Sequence, residues 1–365
     1  VVWEEFAAVS EVLGRDASAH LRPGRALFPE PVLATADTML RSRRHCTDAR
    51  SMRVDEHLEA ATEPLISFEI IPPQRGGDLA SLMSLIEDLA QHNPPFIDIT
   101  SHAAEVVHTD TPSGIRRRVT RKRPGTLGIC ALIQNKYDID AVPHVLCEGF
   151  TREESEDFLI ELHYLGIDNV LALRGDSTGR QVTTADGRSV NRYARDLVQQ
   201  IAAMNQAQYL DDVVDAYPTD FCIGAAGYPE KHSEAPNLEA DIEYTRQKVE
   251  AGASYIVTQM FFDNQHYFRY VEECRKAGIT VPIIPGLRIL TNSRQLSSIP
   301  SAFHCDIPEA LAHEIRSDPE HARDIGIAWA SEQVTELLET GVPSVHFYVM
   351  SYAGAVNVVL DRIRT

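Results

Sequence analysis

The 365-residue sequence predicts an α/β protein built as a (β/α)8 TIM barrel, and two observations carry that prediction. Eight short apolar runs alternate with stretches of helical period and no internal repeat, the pattern of parallel strands joined by crossover helices. Several of these runs end in polar groups, namely Glu69, Thr100, His144, Arg174-Gly175-Asp176, Tyr228 and Gln259, and such barrels keep their chemistry at the C-terminal ends of their strands.

LISFEII (65–71) is the first strand, ended by Pro72-Pro73, which have no N–H to donate. Glu69 inside it is either an edge-facing surface residue or a buried acid with a raised pKa. A helix over 79–91 puts Leu79, Leu82, Leu85, Ile86 and Leu89 on one face. FIDIT (96–100) is the second strand. The long connection after it carries RRRVTRKR (116–123), six basic residues in eight, which reads either as a solvated face partnering surplus carboxylates or as a site for a phosphate or polyanion.

AVPHVLC (141–147) is the third strand, and its His144 is a core histidine, a cofactor contact or, least in keeping with the spacing around it, a metal ligand. Thr151-Arg152-Glu153-Glu154 is a capping box opening a helix with Phe158, Leu159, Leu162 and Leu165 inward and Gly166 as its stop. IDNVLALRGD (167–176) is the fourth strand, delivering two opposite charges to its end. A polar loop leads to a helix begun by Tyr193, and FCIGAAGYPEKH (221–232) is the fifth strand, whose small residues leave room for something flat or a close backbone. A helix over 238–251 stops at Gly252. YIVTQMFFDN, VPIIPG (281–286) and VPSVHFYVM (342–350) complete the strands, and a last helix covers 353–363.

The formal net charge of −19 argues against a nucleic-acid partner. No run suits a membrane span or secretory signal, so a cytoplasmic location is expected. Six cysteines without C-x-x-C spacing read as reduced, mostly buried thiols, and no metal site is expected. Residues 1–51 lack a sustained period and read as a weakly ordered N-terminal extension or, alternatively, a docking arm; the barrel is expected over 52–365.

Taken together, Glu69, Asp176 and Gln259 offer a potential acid, a fixed anion and an amide able to donate and accept. Motifs for hydrolases, P-loop enzymes, Rossmann proteins and zinc proteases are missing, which leaves an uncommitted barrel enzyme using acid–base groups, with or without a cofactor.

Beyond that, SFEIIPP (67–73), PHVLC (143–147), LALRGD (171–176), AGYPEKHSEA (226–235), TQMFFD (258–263) and PIIPGL (282–287) resemble, in order and spacing, the blocks of the methylenetetrahydrofolate reductase family, in particular a bacterial branch. The resemblance covers about residues 52–350. It implies a flavoprotein that passes a hydride from NADH or NADPH to FAD and then to 5,10-methylenetetrahydrofolate, giving 5-methyltetrahydrofolate by a ping-pong cycle in one-carbon metabolism and methionine synthesis. By the same resemblance Glu69 is the general acid that opens the one-carbon bridge, Asp176 stabilises the cationic iminium beside the flavin, and Gln259 contacts the folate. The FAD contacts it implies are Thr100, His144, Arg174, Gly175, Asp176, Tyr193, Ala226, Tyr228, His232, Asp241 and Lys248. A homo-oligomer is also implied.

The chain departs from the family pattern in three places. Thr100-Ser101-His102 stands for Thr-Tyr-Gly, Ser293 for an aromatic, and Ser351-Tyr352 for Asn-Arg. About fifteen residues follow the eighth strand, too few for the S-adenosylmethionine-binding regulatory domain of larger relatives, so no feedback control is expected within this polypeptide. Competing readings are a reductase of the same family fed by a protein electron donor, an idle barrel that binds folate or a partner, and a flavin-free lyase or aldolase.

Overall fold

A computed structural model describes residues 51–112, 114–175 and 188–364. The extension expected over 1–51 lies outside the described residues apart from Ser51, whose hydroxyl donates to Asp140 Oδ1 at 2.9 Å. Its strands are β1 (Leu65–Ile70), β2 (Phe96–Ile99), β3 (Glu105–Thr111), β4 (Gly114–Thr120), β5 (Asp140–Leu146), β6 (Asn169–Leu173), β7 (Cys222–Gly227), β8 (Tyr255–Thr258), β9 (Ile283–Ile284), β10 (Gly286–Leu287) and β11 (Ser344–Met350). The helices are α1 (Val54–Ala60), α2 (Leu79–Ala90), α3 (Thr126–Tyr137), α4 (Arg152–Tyr164), α5 (Ala194–Met204), α6 (Leu238–Glu250), α7 (Asn264–Lys276), α8 (Gln295–Phe303), α9 (Glu309–Ser317), α10 (Ala322–Glu339) and α11 (Gly354–Ile363).

The main sheet runs β10-β11-β1-β2-β5-β6-β7-β8-β9, with every pairing parallel. Its two ends, β9 and β10, are one extended segment interrupted at Pro285, which has no N–H for the ladder. The expected seventh strand is thus shared: its first half pairs with β8 and its second with β11, and the barrel closes. Period-two alternation divides the strands between two packing layers. Phe68, Ile97, Val145, Val170, Ile223, Ile256 and Phe347 join the cluster under the helices, while Phe96, Val142, Leu171, Tyr255, Val257 and Ile284 form a second cluster inside the barrel.

Helix α1 stops one end of that interior. Val54 is fully buried in the inner cluster, and its N–H donates to Asn169 Oδ1 (2.8 Å) at the start of β6. Asn169 in turn donates to the Met52 carbonyl (3.0 Å), and His57 Nε2 meets Asp140 Oδ2 (2.6 Å) at the start of β5. These anchors all sit at strand N-termini, so the opposite, C-terminal ends carry the open mouth.

Several expectations need correction. Leu79 opens α2 but is 63% exposed, because the first turn lies beyond the packing stripe, and Leu165 is exposed past the end of α4 for the same reason. The Thr151 capping box forms as expected, and Gly166 takes a left-handed φ of 68°. The fifth strand stops at Gly227 rather than running to 232. The space beside its small residues is filled by protein: a side chain at Gly224 would strike the Tyr255 ring, and one at Gly227 would lie 2.5 Å from the Tyr270 hydroxyl.

The basic run forms part of an unforeseen antiparallel hairpin, β3–β4. Lys122 pairs with Glu105 (2.6 Å), Arg123 donates to the Pro72 carbonyl (2.6 Å), and Arg121 lies 5.1 Å over the Phe150 ring, while Arg116, Arg117 and Arg118 are exposed. Helices α3 and α7 are further elements that the sequence reading passed over. Cys130, Cys147, Cys222, Cys274 and Cys305 are buried free thiols. Among the described residues no helix is long and apolar enough to cross a membrane.

Candidate active site

Three strands converge on one polar cluster inside the barrel. Glu69 on β1 and Asp98 on β2 are register partners in a parallel pair and therefore project to the same side. His144, on β5, comes between them: its Nε2 lies 3.4 Å from Glu69 Oε2 and 3.8 Å from Asp98 Oδ2. All three are buried. Desolvation pushes the Glu69 carboxyl up to about 7; His144 pulls against that shift, Asp98 adds to it, and Arg288 also opposes it. Burial likewise lowers the His144 imidazole, opposed by Glu69. Both groups are driven toward their neutral forms, so the contact is that of a carboxylic acid and an imidazole rather than a settled ion pair.

A second layer supports this cluster. His346, on β11, accepts or donates to Ser67 Oγ at 2.9 Å, and burial, with His144 second, depresses its imidazole to about 3. Tyr348, two residues on, donates to the Thr258 carbonyl (2.5 Å), and Arg288 donates to the Tyr348 carbonyl (3.0 Å). Among the described residues no group of three or more His, Cys, Asp or Glu is arranged to hold a metal ion.

His144 also lines a cavity of about 390 Å³ together with Ser101, His102, Arg121, Thr126 and Phe150. Arg121, just past β4, brings the foot of the hairpin to this cavity. Thr100, just past β2, has a buried hydroxyl oxygen without a hydrogen-bond partner. Another hollow of about 340 Å³, bordered by Glu332, Glu336, Glu339 and Arg362, shares no residue with the polar cluster.

The remaining predicted residues gather on β6, β7 and α6. Arg174 follows β6 and forks onto Glu234 (2.5 and 2.7 Å), a pairing that raises its guanidinium further. Gly175 takes φ 85°, a conformation that glycine adopts without a Cβ penalty. Asp176 lies outside the described residues. Lys248 is buried, against the alternative of a solvated lysine: its ammonium donates to the Ala226 carbonyl and lies 5.9 Å from the Tyr228 ring. Desolvation lowers it to about 8, with Asp241 opposing.

Asp241 accepts from the His232 N–H (3.1 Å), and burial raises its carboxyl despite that bond and Lys248. The His232 ring packs edge-on against Tyr228 at 4.7 Å. Tyr193 caps α5, is 53% exposed and sits under the Arg195 guanidinium at 5.5 Å, outside these contacts. Gln259 follows β8; its Oε1 accepts from the Met260 N–H at 2.9 Å, and its NH2 group remains a donor.

Asp98, Arg288, His346 and Tyr348 were missed by sequence reasoning. Asp98 had a usable signal, since a lone carboxylate in FIDIT interrupts an apolar strand just as Glu69 interrupts LISFEII. Arg288 had none, because only barrel closure brings the segment after β10 to Glu69.

Comparison with known proteins adds independent findings. The family model described as methylenetetrahydrofolate reductase matches residues 53–364. The 5,10-methylenetetrahydrofolate reductase of Pectobacterium carotovorum subsp. carotovorum is 30% identical over 291 residues, covering 79% of this chain and 86% of that protein. Methylenetetrahydrofolate reductase 1 of Schizosaccharomyces pombe is 29% identical over 301 residues, 81% of this chain and 45% of that protein. The chain thus spans about half the length of the longer relatives. Among solved structures, an uncharacterized Clostridium thermocellum protein that binds two copies of 5-methyl-5,6,7,8-tetrahydrofolic acid aligns with TM-score 0.53 at 13% identity, covering 85% of this chain and 98% of that one, a likeness of fold. On the span and description of the family match, the chain belongs to the methylenetetrahydrofolate reductase family.

Proposed function

We propose that the chain reduces 5,10-methylenetetrahydrofolate to 5-methyltetrahydrofolate with electrons from NADH or NADPH carried by FAD, both substrates using the same site in turn. The observation that carries this reading is Glu69, a buried carboxyl at the open end of the barrel with its pKa raised to about 7. An acid that keeps its proton near neutral pH suits the opening of the folate's one-carbon bridge, where a departing amine must be protonated. Glu69 gives up that proton, the C–N bond breaks, and the resulting cation is the hydride acceptor.

The residues present fit a flavin dinucleotide. The unpartnered Thr100 hydroxyl lies just past β2, His144 lines the neighbouring cavity, and Arg174, Lys248 and the Gly175 turn supply cations and a close backbone approach. In this reading Thr100, His144, Arg174, Gly175, Asp176, Tyr193, Ala226, Tyr228, His232, Asp241 and Lys248 would hold FAD. The chemistry FAD supplies when bound is two-electron hydride carriage between the substrates. Gln259 orients the pterin through its free NH2, and Asp98, His144 and Arg288 set the proton affinity of Glu69.

The test separates the half-reactions. With FAD-reconstituted protein, Glu69→Gln should leave flavin reduction by the nicotinamide within a fewfold of wild type and slow reoxidation by methylenetetrahydrofolate by roughly 10²–10⁴-fold. Equal loss in both halves would remove Glu69 from its acid role.

A further inference from the structure

One buried carboxyl enters that reaction only through its influence on Glu69. Asp98 is 0% exposed, and neither of its carboxylate oxygens has a hydrogen-bond partner. An ionised carboxylate so placed, without cation or donor, costs several kcal/mol, so the group keeps its proton. Burial accordingly pushes Asp98 well above the ordinary carboxylate range. The groups that face it are Glu69 from β1, His144 from β5, Tyr255 from β8, Tyr348 from β11 and Cys130 from α3. The tyrosines and the thiol are uncharged at neutral pH, and the cation of the site, Arg288, acts on Glu69 instead. His346, beside His144, is held neutral.

His144 Nε2 is itself buried without a partner, between the two carboxyls. In a neutral imidazole one ring nitrogen donates and the other accepts. If Nε2 faced Glu69 alone, it would be the natural acceptor for the very proton the folate needs.

We propose that Asp98 is a positioning residue acting through His144: as a neutral acid it offers its O–H to Nε2, fixes the ring as the Nδ1–H tautomer, and so keeps the imidazole from taking the proton of Glu69. The separation such a bond has to close is 3.8 Å, between Asp98 Oδ2 and His144 Nε2. The Nδ1–H is then left to donate toward the cavity that His144 lines. Without Asp98, the proton moves from Glu69 to Nε2, leaving a carboxylate and an imidazolium and no acid for the substrate.

The inference rests on Glu69 as the acid of the proposed reaction, and the experiment keeps the two apart. Full-length protein with ¹⁵N-labelled histidine, without flavin or folate, reports the protonation of each ring nitrogen, with His144 assigned by its loss in His144→Gln. Wild type and Asp98→Asn, whose amide still donates, should show Nε2 unprotonated; Asp98→Leu should show it protonated. In FAD-reconstituted protein, Asp98→Leu should slow folate-dependent reoxidation by about 10–100-fold and move its alkaline limb down by about one pH unit, with nicotinamide oxidation unaffected, while Asp98→Asn restores most of the loss.

If Leu does not fold, Asp98→Ala is read in the same way. An unprotonated Nε2 in the donor-less variant, or equal impairment by Asn and Leu, overturns the proposal. Wild-type protein that fails to reduce methylenetetrahydrofolate overturns the proposed reaction alone, since the ring-nitrogen signals need no substrate.

Discussion

Glu69 has a pH signature of its own. Its folded-state pKa of about 7 lies above the unfolded value near 4.5, so the folded protein holds a proton that the unfolded chain has already lost. Stability therefore falls as pH rises from about 4.5 to about 7, and the deficit is complete above that range. Glu69→Gln cannot titrate and should escape it: the variant is expected to gain up to ~3 kcal/mol over wild type at pH 8 and much less at pH 4.5, read by denaturant unfolding at the two pH values. Arg288 works in the opposite sense on the same carboxyl. Arg288→Met should raise the Glu69 pKa and carry the alkaline limb of the folate half-reaction to higher pH by up to ~1 unit, a shift visible in a stopped-flow pH profile. Glu69 was legible in the sequence because a charge inside LISFEII has few bland explanations. Arg288 was not, since its relevance arises from a strand pairing at the far end of the chain.

At the scale of elements, α1 and the starts of β5 and β6 form a stopper, and its pivot is Asn169. That side chain both accepts from Val54 and donates to Met52, so truncation orphans two backbone groups at once. Asn169→Ala should cost about 2–4 kcal/mol in chemical denaturation. Thr151→Ala, which breaks the capping box of α4, should cost only about 1 kcal/mol. The eight strand positions and the helices α2, α4, α5, α6 and α11 followed from apolar period and punctuation, because parallel strands buried on both faces leave continuous apolar runs. The hairpin was hidden for the converse reason. With β3 half-buried and β4 exposed and rich in arginine, the hairpin offers no alternation of apolar and polar residues to read, and only its cross-strand register marks it as structure.

Across the whole molecule, the closed barrel divides its labour by end and by side. The inner cluster of Phe96, Val142, Leu171, Tyr255, Val257 and Ile284 fills the stoppered end. The polar groups of β1, β2, β5 and β11 are gathered on one side, where Glu69, Asp98, His144 and His346 share a poorly hydrated interior. Such a concentration of buried titratable groups is destabilising by itself and is typical of a site kept for chemistry. The measurement that tests this account most directly is an anaerobic visible titration of the FAD-reconstituted full chain, first with NADH or NADPH and then with methylenetetrahydrofolate. The account predicts a flavin spectrum bleached by a nicotinamide and restored by the folate with formation of 5-methyltetrahydrofolate. A chain that takes up no FAD, or a bleached flavin that the folate fails to reoxidise, would contradict it.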